Sequence, residues 1–448
     1  MRFPFALTAK IAKYIVGHKL RGTKKFATVL QLEPLHTCNL TCTGCGRIRE
    51  YSTSLKDLMS LEACLGAATE CGAPMVSICG GEPLIFPQIE ALSTTLLEVQ
   101  ERVVYLCTNA MFMRRKMRAY MAREFGRTPE AVEPLIARMM AEGLMSEKEA
   151  GEVRKGPKDP DAPVMAPHPY FFWNVHLDGM EYIHDLIVER EGVFKEAVLG
   201  MRMAKILGYQ VCTNTTVYKE TDMQEVEDML DFLGEFGVDG HTISPGYEYD
   251  SAKADMVKRL SLRPEDFFLT REGTREKFKH MPEWSKRYSL LGTPIYHEFL
   301  AGRRELECSA WAIPTRNIAG WRGPCYFMAG AGHFPTYEAM LEQVDWTKFG
   351  VEPHTGKAKD PRCDNCMTQC GFEPSGALSS RLDDTWKNFV YNFAGKPKPN
   401  GRGKTVNAYN GVTAGKGHIT GPQVKKNSSP LATSDVIPEP AASFPAAV

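Results

Sequence analysis

The segment Glu33-Pro34-Leu35-His36-Thr37-Cys38-Asn39-Leu40-Thr41-Cys42-Thr43-Gly44-Cys45 decides how this chain is read. It sets three thiols at the spacing C-x3-C-x2-C just after the apolar run 27–32. Three thiolates so spaced on a loop can face one iron–sulfur cube, filling three of its four iron corners and leaving the fourth iron without a protein ligand. An open iron is a place for a substrate or cofactor, whereas a cluster that only carries electrons ordinarily takes four cysteines. Two plainer readings stand beside it. Cys42 and Cys45 could be a zinc half-site, although His36 is too close in sequence to be an easy partner. They could also be a thioredoxin-like redox pair, which leaves Cys38 idle.

Outward from this loop comes Met75-Val76-Ser77-Ile78-Cys79-Gly80-Gly81-Glu82-Pro83-Leu84, a β-branched run that ends in two glycines, an acid and a proline. Gly80 and Gly81 let a ligand approach the backbone closely, and Glu82 offers a carboxylate to a cationic group. Alone, Gly-Gly-Glu-Pro would pass for an ordinary strand-to-helix turn. Together the two motifs resemble the radical S-adenosylmethionine enzymes at every defining position. The resemblance implies that Cys38, Cys42 and Cys45 hold a 4Fe–4S cluster and that the methionine amino and carboxylate groups bind its open iron. It further implies that Gly80, Gly81, Glu82 and Pro83 contact the amino group.

A length of 448 residues suits two or three domains, and 43% hydrophobic with 24% charged residues is an ordinary globular composition. Lys+Arg and Asp+Glu number 54 each, which gives no support for nucleic acid as a partner. Thirteen cysteines without a secretory signal point to a reducing compartment, where clustered thiols bind metal rather than pair. No apolar run is long enough to span a bilayer. A cytoplasmic protein is expected, or one peripheral at the inner face of the membrane. The second option rests on 1–25, where Phe3, Phe5, Leu7, Ile11, Tyr14, Ile15 and Leu20 interleave with six Lys and Arg residues from Lys10 to Lys25. That amphipathic helix suits anionic headgroups, or equally packs on the core with a solvated basic face.

Strand-like runs at 27–32, 75–79, 103–107, 170–177, 210–217 and 240–243 alternate with helical periods such as 196–207 and 222–236. This alternation predicts an α/β fold with a parallel sheet and functional groups at the carboxyl ends of its strands. Six such units over 26–250 resemble the partial, TIM-like (β/α)6 barrel of the radical S-adenosylmethionine core. The interval 112–169 breaks the rhythm with a helical stretch at 128–140 and a Pro- and charge-rich run at 156–169, an insertion that serves as a lid or as inert surface. The tail, 394–448, is rich in Gly, Pro, Ser, Ala and Lys and reads as disordered. Between barrel and tail, 251–393 carries Cys308, Cys325, Cys363, Cys366 and Cys370. Their arrangement resembles the SPASM or twitch domains and implies a second 4Fe–4S cluster, with zinc held by four of them as the alternative.

Longer segments narrow the resemblance. Val104-Tyr105-Leu106-Cys107-Thr108-Asn109-Ala110, Val175-His176-Leu177-Asp178-Gly179 and the stretches 29–35, 70–78, 237–240, 243–247 and 314–317 are similar to the adenosylhopane synthase family of hopanoid lipid biosynthesis, over about 10–390. That family consumes S-adenosylmethionine as a co-substrate and joins its adenosyl carbon to the exocyclic alkene of diploptene. Implied partners are a hydrophobic isoprenoid alkene and an electron donor such as flavodoxin or ferredoxin. Addition to the alkene end leaves a tertiary carbon radical that must gain a hydrogen atom. Cys107, at the end of a predicted strand, is the candidate donor, its other reading being a small core residue. His176 and Asp178 on the fourth strand and Asn214 on the fifth are candidates to touch adenosine or ribose. Phe171, Phe172, Trp173, Tyr247 and Tyr249 are candidates for an apolar wall. A polycyclic C30 hydrocarbon loses on the order of 20 kcal/mol on entering water, so the enzyme must go to the bilayer that holds it. The insertion and tail depart from the compact family members and leave room for another polyprenyl-derived alkene. Peptide modification, and a non-catalytic iron–sulfur or zinc protein, are the competing readings.

Overall fold

Six β-branched runs become six parallel strands: β1 (Val29–Leu32), β2 (Met75–Ile78), β3 (Val103–Thr108), β4 (Phe171–His176), β5 (Gln210–Val217) and β6 (Gly240–Pro245). They pair in sequence order, each parallel to the next. Parallel neighbours need a crossover, and the intervals supply helices at Leu61–Cys71, Ile89–Thr94, Val193–Ile206 and Met223–Glu235. The result is the partial (β/α)6 barrel that the alternation predicts, with strand ends shifted by no more than about two residues. The computed structural model describes residues 5–394 and Pro397, apart from 52 and 353–354. These all belong to the first of two compact units, 1–408. The tail beyond Pro397, expected to be disordered, lies outside the described residues.

Alternation along the strands builds two faces. Leu30, Leu32, Val76, Ile78, Val104 and Leu106 are fully buried against the surrounding helices. Their neighbours Gln31, Ser77, Tyr105, Cys107 and Asn174 line the barrel interior. The sheet does not stop at β6. β1 pairs in parallel with β7 (Thr315–Asn317), which continues antiparallel to β8 (Gly320–Gly323) and β9 (Gly332–Phe334). The cysteine-bearing extension is thus joined to the barrel through the strand that leads into Cys38.

The Phe5–Leu20 helix covers the amino end of the barrel. Its Leu7 packs on Val103, Phe172 and Cys212, with Ile11, Met75 and Leu291 around them. The interval 112–169 holds three helices, Met113–Arg127, Pro129–Ala141 and Glu147–Arg154, the middle one matching the expected 128–140. Arg114 fastens them to the crossover before β5, pairing with both Glu149 and Glu196 at 3.1 Å. No helix among the described residues is long and apolar enough to cross a membrane.

His241 on β6 is buried, its Nδ1 2.7 Å from Thr213 Oγ1. Burial lowers its pKa to about 4. The folded chain therefore keeps this ring neutral where the unfolded chain protonates it. Its contribution is complete above about pH 6.5 and is lost as pH falls toward 4, costing about 1.4 kcal/mol by pH 5.5. Urea midpoints of wild type and His241→Gln at pH 7.5 and 5.5 test this: wild type should fall further than the variant by that amount, and equal falls refute it.

Candidate active site

The cysteine loop crosses the carboxyl end of the barrel. Gly44, at φ 78°, turns the chain between Cys42 and Cys45, a conformation that favours glycine. Arg49 secures the turn by donating to Cys45 O at 2.7 Å and Thr41 O at 3.0 Å. Gly46 lies flat under the Tyr249 ring, where a Cβ would overlap the ring atoms. Burial raises the Cys38 thiol to about 12 and Cys42 well above its usual range, and the neighbouring thiols push both further. Among the described residues no three His, Cys, Asp or Glu side chains converge as a site for one metal ion. A donor set of three thiols, with no imidazole or carboxylate among them, fits a sulfur-ligated iron cluster.

The glycine pair has a different task from the one its sequence suggests. Gly81 N donates to Leu35 O at 3.0 Å and Glu82 N to Thr37 O at 2.8 Å. A Cβ on Gly80 would stand 2.3 Å from Leu35 O, and one on Gly81 2.0 Å from Thr37 O. The close approach these glycines permit is to the cysteine loop's own backbone, because β1 and β2 are neighbours and their loops meet. Both residues still border the cavity described below. Glu82 is buried; its Oε1 accepts from Thr108 Oγ1 at 2.8 Å and Leu84 N at 3.0 Å, and its Oε2 from Asn109 N at 2.9 Å. Burial outweighs these bonds and raises its pKa to about 7. Pro83 begins the short helix behind it.

On β4 and just beyond, His176 Nε2 lies 2.7 Å from Asp178 Oδ2, while Thr216 N donates to Asp178 Oδ1 at 2.7 Å. Burial alone would lower the His176 pKa, but the Asp178 charge overrides it and raises it. Asn214 stands directly beside His176 in the β4–β5 register. Cys107 Sγ is 3.3 Å from Ser77 Oγ and accepts from Asn174 Nδ2 at 3.4 Å. Burial raises its pKa, which keeps it a thiol.

One cavity of about 700 Å³ joins these groups. It opens at Cys38, Cys42, Cys45 and Glu82, passes Cys107 inside the barrel, and reaches Leu7, Ile11 and Ile15 of the N-terminal helix. His176, Asp178, Asn214, Tyr247 and Tyr249 border it as well. Phe171, Phe172 and Trp173 do not. The rings of Phe171 and Trp173 pack with Tyr209 in the outer core, and Phe172 lies under Leu7. A continuous aromatic run puts residues on both faces of a strand, so their type alone could not say which face meets the cavity. No residue of 112–169 lines the cavity either.

The five later cysteines also come together. Burial raises every one, and the charges of Cys325 and Cys366 raise both Cys308 and Cys370 further. Gly350 N donates to Cys363 Sγ at 3.3 Å. Cys370 borders the central cavity. This too is an all-thiol donor set, and it fits a second cluster by the same chemistry.

Two functional contacts escaped the sequence. Arg47, two residues past Cys45, donates to Glu33 Oε1 at 2.8 Å and Oε2 at 2.7 Å, with both side chains buried. Its third donor reaches Tyr326 O at 3.1 Å, next to Cys325, so one guanidinium ties together the segments that carry the two cysteine sets. Asn109, at the end of β3, donates to Asn39 Oδ1 at 2.9 Å beside Cys38. A polar pair ending an apolar strand was the available signal for Asn109. Nothing in spacing could pair Arg47 with a residue 279 positions away.

Comparison with known proteins bears on the fold only. A family model described as a domain of unknown function, DUF3463, matches residues 241–390. No curated protein matches the chain. Among solved structures, Streptococcus suis SuiB bound to its precursor peptide SuiA is 12% identical, with 80% of this chain and 74% of that chain covered at a TM-score of 0.48. Another SuiB structure aligns at 17% identity over 51% of this chain and 42% of its own, with a TM-score of 0.31. The enzyme anSMEcpe with bound AdoMet and the Cp18Cys peptide is 13% identical, covered at 82% and 96%, with a TM-score of 0.44.

Two substitutions probe the clasp and the bridge. Gly81→Ala should cost about 1–3 kcal/mol and lower the iron and sulfide bound after anaerobic reconstitution; an unchanged melting temperature and iron content would refute the clasp. Arg47→Met strands the buried Glu33 carboxylate and should cost about 3–5 kcal/mol by denaturant titration. The double variant Arg47→Met/Glu33→Leu should recover most of that loss, and no recovery would show that the pair is not the cause.

Proposed function

We propose that this chain is a radical S-adenosylmethionine enzyme that joins the adenosyl carbon to the alkene of a hydrophobic isoprenoid, diploptene being the substrate its sequence resemblance implies. The observation that carries this reading is continuity: three clustered thiols, the Glu82 carboxylate and the Cys107 thiol open into one cavity. Cys38, Cys42 and Cys45 would hold a 4Fe–4S cluster, which with bound S-adenosylmethionine would supply a 5′-deoxyadenosyl radical on one-electron reduction.

The chain's own residues do the rest. Glu82, already held by Thr108 and Asn109, offers its buried carboxylate to the methionine ammonium, and that cation favours the ionised form. His176 at the end of β4, Asp178 just past it and Asn214 beside His176 on β5 are the groups offered to the ribose and adenine. Tyr249 packs on Gly46 just past Cys45 and borders the cavity there. Cys107 is aimed by Ser77 and Asn174 and stays protonated, which is the form that can give a hydrogen atom. Transfer of that atom to the tertiary carbon left after addition completes the adduct and leaves a sulfur-centred radical. One electron from a donor such as flavodoxin or ferredoxin and one proton from solvent restore the thiol. The five later cysteines hold the auxiliary cluster.

The reconstituted, reduced protein is to be incubated with S-adenosylmethionine and diploptene and the lipid extract analysed by mass spectrometry. The expected product has the mass of diploptene plus adenosyl plus one hydrogen. Cys42→Ala should abolish S-adenosylmethionine cleavage. Cys107→Ala should still release 5′-deoxyadenosine and lose about tenfold or more of the adduct. Cleavage without any adduct removes diploptene as the substrate; normal adduct from Cys107→Ala removes the thiol from the reaction; no cleavage by cluster-loaded protein overturns the enzyme reading.

A further inference from the structure

The Leu382–Phe393 helix has two contrasting faces. Inward, Asp384 pairs with Arg304 at 2.8 Å, Asn388 donates to Gly376 O at 2.9 Å, and the Tyr391 hydroxyl donates to Leu290 O at 2.8 Å. Outward, Leu382 is 88% exposed, Trp386 65%, Phe389 50%, Val390 47% and Phe393 38%. The Trp386, Phe389 and Phe393 rings form a row, with centroids 5.7 and 4.4 Å apart. A helix that turns Asp384, Asn388 and Tyr391 inward and sets out Leu382, Trp386, Phe389 and Val390 at helical spacing has a predominantly apolar stripe exposed beside Asp383 and Lys387.

The end of the N-terminal helix lies beside it. Lys19 Nζ donates to Ser379 O at 3.2 Å and Ser380 Oγ at 3.3 Å, just before the last helix begins. Val16 and Leu20 on the same end are 53% and 83% exposed. Among the described residues, seven of the twelve exposed large hydrophobic side chains therefore sit on these two helices. Charge is biased on the N-terminal side of this surface. Residues 1–32 hold seven Lys and Arg and no acid, in a chain whose net charge is zero, while on the last helix Lys387 pairs with Glu298 and Asp383 with Arg381. Lys13, Lys19, Arg21 and Lys24 are exposed.

That one-signed charge selects the occupant. A second copy on a two-fold axis would set basic against basic, and the chain's own segment 398–434 is itself basic. An apolar stripe with Trp, flanked on one side by the exposed Lys19, Arg21 and Lys24, is complementary to the headgroup layer of an anionic bilayer. The inner sides of the same two helices, through Leu7, Ile11, Asn388 and Tyr391, border the amino end of the central cavity.

We propose that the outward face of the Leu382–Phe393 helix, together with Val16, Leu20 and the lysines beside them, docks on the surface of an anionic lipid bilayer. The inference rests on exposure, charge and position, independently of the reaction proposed above. The test is flotation of the full-length protein with vesicles of phosphatidylcholine alone or with phosphatidylglycerol added. Binding should be about tenfold or more stronger to the anionic vesicles and should weaken at high salt. Trp386→Glu/Phe389→Glu, both exposed positions, should lose about tenfold or more of that binding while the melting temperature and S-adenosylmethionine cleavage stay unchanged. Three results would overturn the proposal: no flotation of wild type, equal flotation of the double variant, or a wild-type dimer that the double variant dissociates with vesicle binding unaltered.

Discussion

A buried ion pair between Glu33 and Arg47 is the contact on which both cysteine sets depend. Each charge loses several kcal/mol of hydration when buried, and only close two-point pairing returns it. The geometry supplies that pairing at 2.7 and 2.8 Å, and Arg47, outweighing the burial that would raise it, holds the Glu33 carboxyl well below the usual range. Because Glu33 directly follows β1 and Arg47 stands two residues past Cys45, the pair closes the cysteine loop like a clasp. The same guanidinium donates to Tyr326 O, lies 4.3 Å from the Tyr326 ring centre and pairs with Glu50, which in turn pairs with buried Arg322 on β8. A shift of either cysteine loop would uncover a charge that has no water to turn to.

Sheet order does the second half of the positioning. Loops that follow adjacent parallel strands emerge side by side, so the glycine turn after β2 can reach the loop after β1 and β3 can offer Thr108 and Asn109 to Glu82. The turn after β2 needs glycine at 80 and 81 because a methyl group there would overlap Leu35 O or Thr37 O. Here the close approach is between two pieces of chain, and the ligand meets what that packing leaves open, chiefly the Glu82 carboxylate. The motif is thus structural first, and its chemistry follows from the structure.

The strands, the crossover helices and the three clustered thiols were legible because each is written in local order: period two, period 3.6 and a fixed cysteine spacing. His176, Asp178, Asn214 and Cys107 were legible as strand-end groups, and the structure brings them to one cavity. Arg47 was not, since its partners lie 14 and 279 residues away and an isolated arginine carries no period. Phe171 and Trp173 misled because aromatic residues in a strand buried on both sides look alike whichever way they point. The Leu382–Phe393 helix was not legible: its inward stripe is Asp384, Asn388 and Tyr391, whose polar groups found partners among Arg304, Gly376 and Leu290. Side-chain hydrogen bonding, not hydrophobicity, set that helix's rotation.

The barrel therefore has two dissimilar ends sharing one cavity. Its carboxyl end gathers thiols, carboxylates and an imidazole; its amino end is closed by aliphatic side chains of the N-terminal helix. Leu7 is the most deeply seated of these, and exposing one leucine costs about 1.5–3 kcal/mol. A polycyclic alkene drawn through water would cost on the order of 20 kcal/mol. For a chain docked by its basic, aromatic face, displacing that helix into the headgroup layer is by far the smaller expense, and Leu7 would exchange one apolar surrounding for another. On the proposed reading, a substrate taken from a bilayer would enter at the amino end, and the barrel interior past Cys107 would lead it to the clustered thiols.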